Sequence, residues 1–224
     1  MENIENTNIP LKDTRTRILE AFVHHVLETG QEPVSVYKFA QSLGMSEQEF
    51  YTFYTSFQGV KGGVWESIFE QTLADMYAQP AYAHYSPKEK LLSFYFTWIE
   101  ELKKNRSYLL TLYEKQPDFK KVTPQEVQSF KRHFTAFAKT LVQEGKEIEQ
   151  IVDRKYVSDK YPDALWLETL FIFQFWLKDT SPGFERTDAA IEKSVSLFFD
   201  VVGRNAVDSF FDFAKFLYQS KKSS

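Results

Sequence analysis

The stretch Val34 to Tyr54, VSVYKFAQSLGMSEQEFYTFY, leaves little freedom in how it folds. Ser35 is a helix-capping residue type, and Val36, Phe39, Ala40 and Leu43 follow at the three/four spacing that places them on one helical face. Gly44 comes next, where a left-handed helix stop favours glycine. Met45 sits in the corner. Ser46 can cap a second helix, with Glu49 three residues later in the capping-box pattern, and Phe50, Phe53 and Tyr54 supply its apolar stripe. Two short helices around a glycine corner make a helix-turn-helix, whose second helix can lie in a DNA major groove.

The flanking chain reads as more helix. Asp13 or Thr14 can cap a first helix carrying Ile18, Leu19, Phe22, Val23 and Val26, stopped by Gly30, with Pro33 keeping the next turn out of helix. A connecting helix is expected over about 60–79. Its start is expected to be irregular, because Gly59, Gly62 and Gly63 each disfavour helix by about 1 kcal/mol relative to Ala. Further helices are expected over 88–104, 108–115, from Thr123-Pro124 to about 152, 161–177, 188–202 and 206–218, separated by Pro80, Pro117 and Ser181-Pro182-Gly183. No stretch reads as paired strands. The expected fold is all-α: a three-helix helix-turn-helix domain over 14–60 and a larger helical domain over 61–220, which the family resemblance described below makes a ligand-binding and dimerisation domain.

Composition narrows the function. Hydrophobic residues make up 43% and aromatic residues 17%, enough for a sizeable core. The absence of cysteine excludes disulfides and thiolate metal sites and fits a reducing cytoplasm. The polar, acidic start MENIENTNIPLKD lacks the pattern of a secretory signal. The most apolar run, LETLFIFQFWL, is too short to span a bilayer. Through Val60 there are four basic against eight acidic side chains, so the whole net charge of −4 falls in the segment that would meet DNA. DNA affinity rests on phosphate neutralisation, and this footprint is weak. Nucleophile, P-loop and dinucleotide fingerprints are missing, so no enzyme is expected. His24 and His25 are adjacent and point to different sides of a helix, so they cannot share a metal. No cofactor or metal is expected.

Residues 16–76 resemble the N-terminal domain of the tetracycline-repressor (TetR) family of transcription regulators. Ser35-Val36-Tyr37-Lys38-Phe39-Ala40-Gln41-Ser42-Leu43-Gly44-Met45-Ser46 stands where that family has T/S-V-x-x-I-A-x-x-A-G-V-S, and Tyr51 of Phe50-Tyr51 keeps the spacing of the family's Tyr from the corner. The resemblance implies a homodimer that binds a double-stranded DNA operator and releases it when a small ligand enters the larger domain. It also exposes departures. The family's Gly-Thr pair is Gln48-Glu49 here, its phosphate-contacting His is Phe53, and the Lys opening the fourth helix is Phe57. Lys61 lies four residues further on.

Arg15, Arg17, Lys38, Ser46, Gln48, Tyr51, Thr52 and Lys61 are therefore the expected DNA contacts, with Gln48 suited to an adenine edge. Glu47 and Glu49 complement the helix dipole, and a helix N-terminus capped by its own glutamate is less open to phosphate. Trp98, Tyr108, Tyr113, Phe134, Phe137 and Trp166 lie on helices that, by resemblance, surround a ligand cavity. They read either as core packing or as the lining for a lipophilic ligand, and His133 reads as a structural histidine. Leu170, Phe173, Trp176, Leu177, Val195, Phe198, Phe199 and Val202 belong to helices that form the family's dimer interface; the other reading is a large monomer core. The alternative overall is the same fold as a dimeric ligand- or protein-binding module with DNA recognition largely lost.

Overall fold

The computed structural model describes residues 11–114, 124–155 and 157–203. These residues are helical without strands: α1 (Leu11–Thr29), α2 (Val36–Ser42), α3 (Glu47–Phe53), α4 (Phe57–Tyr77), α5 (Pro87–Lys104), α6 (Arg106–Tyr113), α7 (Gln128–Glu147), α8 (Tyr161–Lys178) and α9 (Glu185–Val202). The all-α expectation holds. The expected 206–218 helix lies outside the described residues. The expected division at 60/61 falls within α4.

The helix-turn-helix forms by the local devices its sequence carries. The Ser35 hydroxyl accepts from Lys38 N–H at 3.3 Å. Gly44 takes φ +67, and the amides of Leu43 and Met45 both return to the Ala40 carbonyl. Ser46 and Glu49 close the capping box in both directions. The unit's small core is aromatic. Phe57 stacks on Phe22 at 5.6 Å and meets Phe39 edge-on at 5.5 Å and Phe50 at 6.1 Å. The lysine-to-phenylalanine departure at Phe57 thus serves packing.

Several local expectations change, and the helix expected from Thr123-Pro124 to about 152 is shorter, α7 covering Gln128–Glu147. α1 starts at Leu11, so Asp13 and Thr14 lie inside it rather than capping it. α4 runs unbroken across its three glycines. Ser56 caps it by accepting from Gly59 N–H at 3.2 Å. A Cβ at Gly63 would lie 2.5 Å from the Tyr54 hydroxyl, so glycine there is what lets α3's end seat on α4. Close packing outweighs helix propensity at this point.

α4 then passes through the middle of the molecule. It packs on α1, α5 and α7, while α8 and α9 complete the bundle against α7 and α5. Trp65, on α4, is 2% exposed and meets Phe130 at 5.5 Å and Phe173 at 5.3 Å, both edge-on. Its indole N–H donates to the Tyr113 hydroxyl at 2.9 Å, which donates to the buried carboxylate of Glu126 at 3.0 Å. The Gln58 side-chain amide donates to the other oxygen of Glu126. This chain of bonds ties the first and third turns of α4 to α6 and to the turn before α7.

Two buried carboxylates behave in opposite ways. Asp179 is pushed up by burial, but the N–H and hydroxyl groups of Ser181 and Thr187 all donate to it, between 2.6 and 2.9 Å, and hold it down to about 2. Those bonds draw the start of α9 back to Glu185, ahead of the expected Asp188. Glu168 on α8 has no such set. Burial pushes it up to about 7, held back in part by the facing Ser194 hydroxyl of α9. That hydroxyl donates to the Ile191 carbonyl, and neither oxygen of Glu168 accepts a well-formed hydrogen bond.

A carboxyl that titrates near 4 when unfolded and near 7 when folded makes the protein lose stability as pH rises from about 4 through 7. Glu168→Gln is therefore expected to be more stable than the parent at pH 8, by about 2–3 kcal/mol, with the two converging near pH 4; urea unfolding at both pH values measures this. Tyr113→Phe leaves the Trp65 N–H without its acceptor and is expected to lower unfolding free energy by about 1–3 kcal/mol, read by tryptophan fluorescence during urea unfolding.

Candidate DNA-reading face and ligand cleft

The face that would meet DNA is formed by α3 and the exposed side of α2. Lys38, Gln48, Tyr51 and Thr52 are all exposed on it. Its polar groups are largely occupied by each other. Tyr51 donates to Glu47 at 3.0 Å, Thr52 donates to the Glu49 carbonyl at 2.7 Å, and the Ser46 amide donates to Glu49 at 2.6 Å. The Ser46 amide and hydroxyl hold the Glu49 carboxyl below its ordinary value, so it stays charged. The hydrogen bond to Glu47 pushes the Tyr51 hydroxyl up.

The three other basic candidates point back into the protein. Arg15 donates to the Tyr54 hydroxyl at 2.9 Å and pairs with Glu66. Arg17 donates to the Leu43 carbonyl at 2.7 Å, bracing the corner. Lys61 pairs with Glu32 at 2.8 Å. Of the eight expected DNA contacts, only Lys38 is an exposed cation without such an internal bond among the described residues. A carboxylate beside a phosphate is repelled by about 1–4 kcal/mol, depending on the effective dielectric.

The ligand candidates separate into three groups. Trp98 and Trp166 line a crevice with Phe130 and Phe173 whose volume is about 10 Å³, room for a single water at most. Phe134 is wholly buried in the core. Tyr108 and Tyr113 sit at the joint between the helix-turn-helix and the larger domain: Tyr108 meets Phe22 at 6.3 Å, and burial pushes both hydroxyls up. Only Phe137 lines a cavity of useful size. This is a cleft of about 410 Å³ between α4 and α7, closed at one end by the Pro80–His84 turn and the start of α5.

Phe69, Leu73, Phe137 and Leu141 form the cleft's apolar floor, and Tyr77, Tyr82, Lys90, His133, Thr140 and Glu144 supply its polar groups. Lys90 Nζ pairs with Glu144 at 2.6 Å and lies over the Tyr82 ring at 5.6 Å. His133, expected to be structural, is half-buried on the cleft wall with its ring 5.7 Å from Phe69. Burial pushes the Tyr82 hydroxyl up, so it is a neutral donor. Sequence reasoning missed most of this lining. The available signal was MYAQPAYAHY, three tyrosines around a proline at the end of the connecting helix.

Seven of the eight expected dimer residues, Leu170, Phe173, Trp176, Leu177, Val195, Phe199 and Val202, are at most 9% exposed within the single chain, and Phe198 is half-buried. The chain's own core takes them, because α8 packs on α7 and α9 on α5 and α8. The apolar residues these helices leave at the surface are Leu167 and Phe171 on α8 and Leu197 and Val201 on α9, each pair four residues apart and 37–63% exposed. Among the described residues no helix is long and apolar enough to cross a membrane, and no group of His, Asp and Glu is arranged to hold a metal ion.

Residues 90–217 match the family described as tetracyclin repressor-like, C-terminal domain. Among solved structures, the chain is similar to a protein of unknown function from Rhodococcus sp. RHA1, at 12% identity and TM-score 0.55 over 90% of this chain and all of that one. It is also similar to a TetR/AcrR-family transcriptional regulator from Thermobifida fusca YX-ER1, at 18% identity and TM-score 0.51 over 86% of this chain and all of that one. At these identities the likeness is one of fold. No curated protein matches the sequence. The family match spans more than half of the chain and the helix-turn-helix precedes it, so the protein belongs to the TetR family of transcription regulators.

Proposed function

We propose that this TetR-family protein acts in the cytoplasm as a homodimeric regulator that binds an operator through α3 and answers to a small lipophilic ligand in the α4–α7 cleft. The carrying observation is that α4 serves both places. Phe57 at its start is part of the helix-turn-helix core, and Phe69 and Leu73 further along it form the cleft floor. A ligand that parts α4 from α7 displaces the reading helix, provided it binds one arrangement more tightly than the other. The exposed pairs Leu167/Phe171 and Leu197/Val201 provide the apolar surface for a second copy.

A second reading is favoured by the α3 N-terminus. Glu47 and Glu49 stand where a phosphate would sit, and Arg15, Arg17 and Lys61 are spent on internal bonds. Under that reading the protein is a dimeric ligand- or protein-binding module that no longer recognises DNA.

Titration against mixed genomic DNA fragments at 50 and 200 mM salt separates the two. Regulation predicts retention of particular fragments with affinity falling steeply with salt, and the Glu47→Gln/Glu49→Gln variant is expected to bind all fragments more tightly, by about tenfold or more. No retention by either protein at low salt supports the second reading. For the dimer, Phe171→Glu/Leu197→Glu is expected to give a monomer of unchanged helicity by light scattering at micromolar concentration. A parent protein that is already monomeric under those conditions refutes the homodimer.

A further inference from the structure

We propose that the α4–α7 cleft takes an amphipathic anion, a medium-chain carboxylate, whose head group replaces Glu144 on Lys90 while its chain lies on Phe69, Leu73, Phe137 and Leu141. The inference rests on the ligand reading above and adds the chemical class of the ligand.

The charged groups lining the cleft are one cation and one anion, already paired. Their burial is unequal: the Lys90 side chain is 18% exposed and that of Glu144 38%. An incoming carboxylate leaves Lys90 in place over the Tyr82 ring, keeps it paired, and returns the more exposed member of the pair to water. An incoming cation would do the reverse, expelling the more buried ammonium from both Glu144 and the ring, where the loss of desolvated pairing is larger. A neutral amphiphile gains the floor alone. The neutral Tyr82 hydroxyl, which lines the same cleft, adds a hydrogen-bond donor for an anion. A volume of about 410 Å³ suits a single medium-length chain.

Calorimetric titration of the full chain with decanoate, decanol and decyltrimethylammonium tests this. Decanoate is expected to bind about tenfold more tightly than decanol, and decyltrimethylammonium more weakly than either. Lys90→Met is expected to bring decanoate down to the level of decanol while leaving decanol unchanged. Glu144→Gln, which removes the internal competitor and keeps the side chain's size, is expected to tighten decanoate alone. Equal binding of decanoate and decanol, tightest binding of the ammonium, or equal losses for both ligands in Lys90→Met overturns the anion proposal and leaves the lipophilic cleft standing. Failure of all three ligands to bind overturns both. Should Lys90→Met fail to fold, the three-ligand comparison on the parent and Glu144→Gln still decide the matter.

Discussion

The seating of Trp65 in the middle of α4 is the contact on which the rest of the structure depends. Its ring is held edge-on between Phe130 of α7 and Phe173 of α8, and its N–H is taken by Tyr113 of α6. One side chain therefore joins four helices, and the bond continues through Glu126 back to Gln58 at the start of α4. A buried indole N–H and a buried carboxylate would each be costly alone; linked in series, each satisfies the next. The consequence is mechanical. α4 is fixed to the bundle at its first and third turns, and its far half is left to form one wall of an open cleft.

The helix-turn-helix shows a competition between folding and DNA recognition. A helix N-terminus offers unsatisfied amides that either a capping carboxylate or a phosphate can take. Here the Glu49 carboxylate takes the Ser46 amide, the Ser46 hydroxyl takes the Glu49 amide, and Glu47 adds a second negative charge in the same turn. The basic residues follow the same pattern: Arg17 braces the Gly44 corner and Arg15 holds Tyr54 against α4. Phe57 fills the aromatic core in place of a charged residue. Each choice strengthens the small domain and withdraws positive charge from the surface where phosphates would lie.

In the larger domain, ring size and ring number decide what space is left. Trp65, Trp98, Phe130, Trp166 and Phe173 crowd the centre until the crevice among them holds no ligand. Space remains instead where α4 and α7 diverge toward the turn after Pro80. α7 carries a single apolar face, so along its edge the floor of Phe137 and Leu141 passes directly into Thr140 and Glu144. A cleft on that edge is necessarily apolar at the base and charged at the rim.

The sequence by itself determined the local structure: the Ser35 cap, the left-handed Gly44, the Ser46–Glu49 box, and an all-helical chain punctuated by prolines. These depend on neighbours within four residues, and periodicity records them. The sequence also made visible the acid excess at α3. Only the tertiary structure decided which apolar residues face the core, the cleft or the surface. Leu170, Phe173 and Trp176 are buried while Leu167 and Phe171, on the same helix, are exposed, although all five are large apolar side chains. α8 is apolar nearly all round, so hydrophobicity gives no direction; direction comes from where α7 and α9 pack against it. The same holds for Gly63, unfavourable by propensity and required by the approach of Tyr54.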